Sequence, residues 1–203
     1  GADSLFGEAG NDTLNGDGGF DSIDGGDGND LVFAGADNDT VSGGLGDDTI
    51  NGQAGNDSVN GDAGNDILNG QAGQDSIVGG LGNDLLNGNS GDDALLGGDD
   101  NDTILGGSGN DSIEGQAGDD RAQGHSGNDT LIGRDGSDFL NGGTGDDLID
   151  NFFPLEELLP FITIASFSAT EGDTGTQLFD FVVTLSTAFS NTVAVDYATA
   201  DDT

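Results

Sequence analysis

Seventeen aspartates stand nine residues apart without a gap: Asp3, Asp12, Asp21, Asp30, Asp39, Asp48, Asp57, Asp66, Asp75, Asp84, Asp93, Asp102, Asp111, Asp120, Asp129, Asp138 and Asp147. Carboxylates in such number could form acid–base pairs or supply oxygen to a hard cation. A catalytic pair needs two carboxyls in distinct environments. A strictly periodic array distinguishes no pair, so metal ligation or plain solvation is the chemistry this spacing favours. Zinc is a poor fit, because the chain has no Cys and one His. Magnesium demands octahedral geometry and keeps its waters. Calcium takes six to eight oxygens at roughly 2.3–2.6 Å in flexible geometry and fits best.

The elements that must position these carboxylates follow from the residues around them. Two residues after each Asp stands an aliphatic, from Leu5 and Leu14 to Leu140 and Ile149, with Ala122 the one small side chain. Two residues before it stands Gly in nearly every unit, as in GDAGNDILN (61–69), GGLGNDLLN (79–87) and GGSGNDSIE (106–114). The common pattern is G-G-x-G-x-D-x-U-x, with U apolar. The three residues x-U-x suit a very short strand with U inward. The six residues rich in Gly, Asn and Asp suit a turn. Strand, turn, strand, turn then closes a flattened coil every 18 residues, and successive coils stack parallel strands about 4.8 Å apart. Helix is excluded by 40 glycines and the absence of a 3.6-residue period. Collagen is excluded because Gly does not recur every third residue and only two prolines exist. The expected fold is an all-β, right-handed parallel β-roll over residues 1–150.

Two oxygens on opposite sides of one calcium ion lie about 5 Å apart, close to the coil spacing. An ion therefore fits between turns stacked on the same side. Nine turns on one side and eight on the other leave at most fifteen such gaps. Residues 1–150 hold 32 acidic and 2 basic side chains, a charge of −30 that fifteen Ca²⁺ would balance. Seventeen inward aliphatics alone do not repay the entropy of ordering so glycine-rich a chain against that repulsion. Metal binding then becomes folding energy, and a disordered calcium-free state is expected.

This array closely resembles the hemolysin-type, or RTX, calcium-binding nonapeptide repeat. The resemblance covers about three quarters of the chain. It implies that each ion takes the Asp side chains of two stacked turns and backbone carbonyls near the glycines. It also implies export through a type I secretion channel, with low cytosolic calcium keeping the chain unfolded and extracellular calcium folding it. Asn or Asp at the fifth position (Asn11, Asn29, Asp47, Asn56, Asn65) is expected to support the turn.

Some units depart from the pattern. Asp37 and Asp100 replace the fourth-position Gly, and Asp tolerates a left-handed backbone better than most residues. Ala34 replaces the first-position Gly in the turn that also holds Asp37, which makes this turn the expected weak site. Phe20 and Phe139 stand where polar residues are usual and are expected on the surface. His125 has no nucleophile or acid partner in the pattern and reads as a solvated residue. Arg121 and Arg134 read as local relief of repulsion.

Composition bounds the partners. The chain of 203 residues carries 40 acidic and 2 basic side chains, a formal charge of −38. That charge repels phosphate, so neither nucleic acid nor an anionic membrane surface is an expected partner. No apolar run reaches membrane-spanning length; the richest, FFPLEELLPFITI, holds two prolines and two glutamates. Gly1 enters the repeat mid-unit, as expected of a monomeric module within a longer chain.

Beyond Asp150 the period stops. Residues 151–161 (NFFPLEELLPF) are apolar and proline-bounded, and read either as a cap on the open roll or as a linker. Residues 162–203 alternate in strand fashion, as in FDFVVTL and TVAVDYA. They resemble the N-terminal half of a Calx-β domain, an immunoglobulin-like β-sandwich, through Glu171-Gly172-Asp173, the FVVTLS strand and VDYATAD ending at Asp201. That resemblance makes Glu171 and Asp201 further candidate calcium ligands, although Asp202 stands where the family usually has Gly.

The expected function is a non-enzymatic calcium-dependent folding and structural module of a large secreted bacterial protein, an adhesin or surface protein with a cell-surface or matrix ligand. The alternative is the secretion and folding tail of an exoenzyme (protease, lipase or epimerase) or toxin. An ice-binding face is disfavoured: the third repeat position runs Ala9, Leu45, Ala54, Ala63, Ala72, Leu81, with threonine only at Thr144.

Overall fold

The computed structural model describes residues 1–151. Seventeen strands follow one another at nine-residue intervals. They are β1 (Ser4–Phe6), β2 (Thr13–Asn15), β3 (Ser22–Asp27), β4 (Leu31–Ala36), β5 (Thr40–Leu45) and β6 (Thr49–Ala54). Then come β7 (Ser58–Ala63), β8 (Ile67–Ala72), β9 (Ser76–Leu81), β10 (Leu85–Ser90), β11 (Ala94–Asp99) and β12 (Thr103–Ser108). The series ends with β13 (Ser112–Ala117), β14 (Arg121–Ser126), β15 (Thr130–Asp135), β16 (Phe139–Thr144) and β17 (Leu148–Asp150). Odd strands form one parallel sheet of nine and even strands one of eight, each in sequence order. Every pairing joins a strand to the next but one in sequence, such as Leu68 with Leu86. This is the all-β solenoid, with two repeat units in each coil, that the spacing implies.

The aliphatic of each unit points between the sheets. Ile23, Val41, Val59, Ile77, Leu95, Ile113 and Leu131 come from one sheet and Val32, Ile50, Leu68, Leu86, Ile104 and Ala122 from the other, all buried in a single cluster. Leu5, Leu14 and Leu140 pack on it while only partly buried. Ile149, paired in register with the buried Leu131, is 46% exposed in the last described strand.

Strand length differs from the sequence expectation. Apart from β1, β2 and β17, the strands are six residues long, not three. They run through the first, second and third positions of the next unit, leaving only G-x-D as the turn. The cause is a backbone device. The second position holds a left-handed residue whether or not it is glycine: Gln53 has φ 76°, Asp62 70°, His125 72° and Arg134 80°. Its conformation bends the strand around the corner while pairing with the coils on either side continues, as between Gln53 and Gln71. The cost of a left-handed non-glycine is roughly 1–2 kcal/mol, offset here by pairing on both sides.

Of the connector over 151–161, only Asn151 is described; its side-chain amide donates to the Asp138 carbonyl at 3.2 Å. The Calx-β-like reading of 162–203, with Glu171 and Asp201, lies outside the described residues.

Candidate metal centre

Each turn presents its Asp from the residue just before a strand, where the backbone is held by the coils on either side. From Asp21 to Asp129 these side chains are only 1–3% exposed. A buried carboxylate must be hydrogen-bonded, paired or protonated. One of its two oxygens is accounted for. Asp48 N–H donates to Oδ1 of Asp66 at 2.8 Å, Asp66 N–H to Oδ1 of Asp84 at 2.8 Å, and the same bond recurs from coil to coil along the roll. The other oxygen is not. In fifteen consecutive units, Asp12 to Asp138, Oδ2 is buried with no hydrogen-bond partner among the described residues.

The surroundings of Oδ2 are also specific. A Cβ added at Gly43 would lie 2.5 Å from Asp48 Oδ2 and 2.7 Å from the Gly61 carbonyl oxygen one coil further on. At Gly52 the same two distances are 2.6 Å to Asp57 Oδ2 and 3.0 Å to the Gly70 oxygen. The first-position glycine thus faces both an unpartnered carboxylate oxygen and a backbone carbonyl of the next coil, and has no room for a side chain. Such a cradle of partly negative oxygens with no donor suits a hard cation. Among the described residues, no point gathers three or more acidic or histidine side chains. A donor set of carboxylate plus backbone carbonyl suits calcium and not zinc.

The electrostatics register the same deficit. Burial, working against the stabilising backbone N–H bond, raises the Asp66 and Asp102 carboxyls to about 7. It raises those of Asp75, Asp93 and Asp111 to about 6. Repulsion from the carboxylates one coil away adds to each, such as Asp84 and Asp48 around Asp66.

The structure places Asp12 to Asp138 in one repeated environment. Asp3, at the first turn, has a side chain 61% exposed. Asp147 is half-buried and its Oδ1 accepts from Asp129 N–H at 3.0 Å. The fifth-position residues act in the opposite direction to the Asp series. Asn56 Oδ1 accepts from Gln74 N–H at 2.9 Å and Asn65 Oδ1 from Asn83 N–H at 3.0 Å, so each fixes the turn one coil ahead. Sequence reasoning missed both the division of labour within each carboxylate and the left-handed second position. The signal for the latter is the alternation of Gly with Asn, Asp, Gln and His there.

The irregular units behave as follows. Asp37 and Asp100 adopt φ 77° and 76°, so both turns survive without glycine. Ala34 is fully buried, at the first position where every other unit from Gly7 to Gly142 carries glycine. The Asp39 carboxyl is raised by burial, with Asp21 and Asp37 adding repulsion. Phe20 and Phe139 are 66% and 52% exposed. Arg121 stacks 4.8 Å over the Phe139 ring. Arg134 pairs with Glu114 at 2.8 Å. His125 is exposed.

Comparison with known families and proteins agrees with this geometry. The RTX calcium-binding nonapeptide repeat (4 copies) matches nine overlapping segments, from residues 1–23 to 114–149, which together span 1–149. A comparison with curated proteins found no match. With repeat, coil and unpartnered carboxylates in phase over about three quarters of its length, the chain belongs to the RTX calcium-binding nonapeptide repeat family.

Proposed function

We propose that the roll is a calcium-dependent folding module in which the Asp series from Asp3 to Asp147 supplies the side-chain ligands, in a ladder of up to fifteen ions. The observation that carries this is the row of fifteen buried Oδ2 atoms without partners. The first-position carbonyls, such as those of Gly61 and Gly70, complete the donor set. Calcium, when bound, supplies the positive charge that lets stacked carboxylates stay ionised. The residues do the rest: Oδ1 ties each turn to the coil before, the fifth position ties it to the coil after, and the glycines keep the cradle open.

The wider reading is a non-enzymatic module of a secreted bacterial protein, exported unfolded and folded by calcium outside the cell. The family and the net charge of −38 support it, since self-repulsion opposes folding until cations arrive. An adhesin is favoured over an exoenzyme tail by the length of the array and its junction to a Calx-β-like segment at 162–203, where Glu171 and Asp201 would add ligands.

Titrating calcium into the chelated chain tests the reading. Far-UV circular dichroism should pass from disordered to β, and equilibrium dialysis should count many ions per chain, at most about fifteen. A β-signal unchanged by chelation at neutral pH would sink the proposal.

A further inference from the structure

The two sheets share one repeat but not one charge. Strands β2, β4, β6, β8, β10, β12, β14 and β16 contain no Asp or Glu; the one acid at a corresponding position on this side is Asp17, just past β2 at the end of the sheet, where it accepts from the Asn15 amide at 2.7 Å. The nine-stranded sheet holds seven acids, from Asp24 and Asp27 at one end to Asp135 and Asp150 at the other. In a chain with 40 acidic residues, an acid-free sheet of this extent is unexpected. It is not imposed by sterics, because the nine-stranded sheet accepts acids at the same second, third and ninth positions.

In place of charge, the middle of this face carries amides. Asn51, Asn69 and Asn87 lie in register at the ninth position, and Gln53, Gln71 and Asn89 at the second. A groove of about 450 Å³ runs among them, lined by Asn51, Asn69, Gln71, Ala72, Asn89 and Ser90. The protein uses little of their capacity. Asn69 donates to Asn51 at 3.4 Å and Asn89 to the Asn87 carbonyl at 3.2 Å. Each amide group offers two donors and an acceptor. Apolar surface flanks the ranks: Phe33 is paired beside Asn51, and Ile67 and Leu85 are 43% and 38% exposed.

We propose that this groove binds a neutral, hydroxyl-rich polymer, an uncharged polysaccharide chain lying along the roll axis. Hydroxyl groups both donate and accept, as amides do, and the C–H faces of sugar rings suit Phe33, Ile67 and Leu85. The amide ranks repeat with the strand spacing of about 4.8 Å, close to the length of one sugar ring, so successive rings meet equivalent groups. An anionic polymer would meet the net charge of the whole chain. A basic partner would find its counter-charges on the nine-stranded face. A second copy would bring the same negative charge, and a concave amide groove pressed on its own twin leaves amides unpaired.

Isothermal titration of the calcium-folded full chain with cellohexaose, chitohexaose and mannohexaose tests the proposal, with hexagalacturonate as the anionic comparison. At least one neutral hexasaccharide should bind, and hexagalacturonate should not. Asn69→Ala combined with Gln71→Gly, the residue other units carry at that position, should weaken binding about tenfold or more. Gln116→Gly, on the opposite sheet, should leave it unchanged. Circular dichroism confirms that each variant is folded. Folded protein that binds no neutral hexasaccharide, binding untouched by the double variant, equal binding of hexagalacturonate, or self-association abolished by the double variant would each overturn the proposal.

Discussion

Two buried columns run the length of the roll, one of aliphatic side chains and one of carboxylates. Both are generated by the same nine-residue period, and both stack coil upon coil. Leu68 and Ile77 are fully buried among their own kind and need nothing further. Asp66 and Asp75 are as deeply buried, but each has one oxygen bonded and one unpartnered. Dispersion and the hydrophobic effect reward repetition of like with like. Electrostatics penalises it, because each carboxylate adds desolvation and a neighbour of the same sign. One column is therefore self-sufficient, while the other needs cations or protons.

The broadest test replaces cations with protons. The raised carboxyls, about 6 to 7 at Asp66, Asp75, Asp93, Asp102 and Asp111, bind protons more tightly when folded than in the unfolded chain, near 3.8. Their stabilising effect is complete below that unfolded value and is lost as pH rises through 6 to 7. Chelated protein should therefore gain β-signal as pH falls from about 8 to about 5, still above the isoelectric point of about 4.1. With calcium limiting, the same acidification should weaken calcium binding, as protons compete for the ligands. A monotonic loss of β-signal on acidifying chelated protein would contradict the two-column picture.

Within the apolar column, Leu68→Ala should cost about 2–5 kcal/mol in denaturant unfolding of the calcium form. A cost below that range would mean the column relaxes around the cavity. A smaller effect is expected where the columns meet the turn. Gly43→Ala forces a methyl group toward Asp48 Oδ2 and the Gly61 oxygen, and should cost about 1–3 kcal/mol and one bound calcium per chain. Ala34→Gly is the reverse experiment and should add one bound calcium; equal stoichiometry in both variants by equilibrium dialysis would show that the first-position glycine is not part of the cradle. The smallest effect belongs to Arg134→Ala. It removes a surface ion pair with Glu114 and should leave Tm within experimental scatter, because exposed pairs contribute little.

Much of this was legible in the residues. The aliphatic at every ninth position predicts an inward stack, and the two-fold alternation of turns predicts nine strands on one side and eight on the other, as observed. Asp37 and Asp100 read correctly as turns that survive without Gly. The six-residue strands were not legible, because Gly-Gly pairs carry turn propensity while their neighbours in the adjoining coils hold them in a ladder. Nor were the acid-free even strands, because three-residue strands leave to the turns the second and third positions where Asp27, Asp62, Asp99 and Asp135 stand on the other sheet.

The sequence by itself determined the period, the two-unit coil, the identity of the core and the row of acidic turns, because each of these is a regular spacing of residue types. Only the tertiary structure decided what each oxygen does. Oδ1 reaches back one coil, the fifth-position side chain reaches forward, and Oδ2 is left facing a carbonyl of the next coil. Those directions are properties of backbones stacked one coil apart, and no local propensity or one-dimensional pattern encodes them.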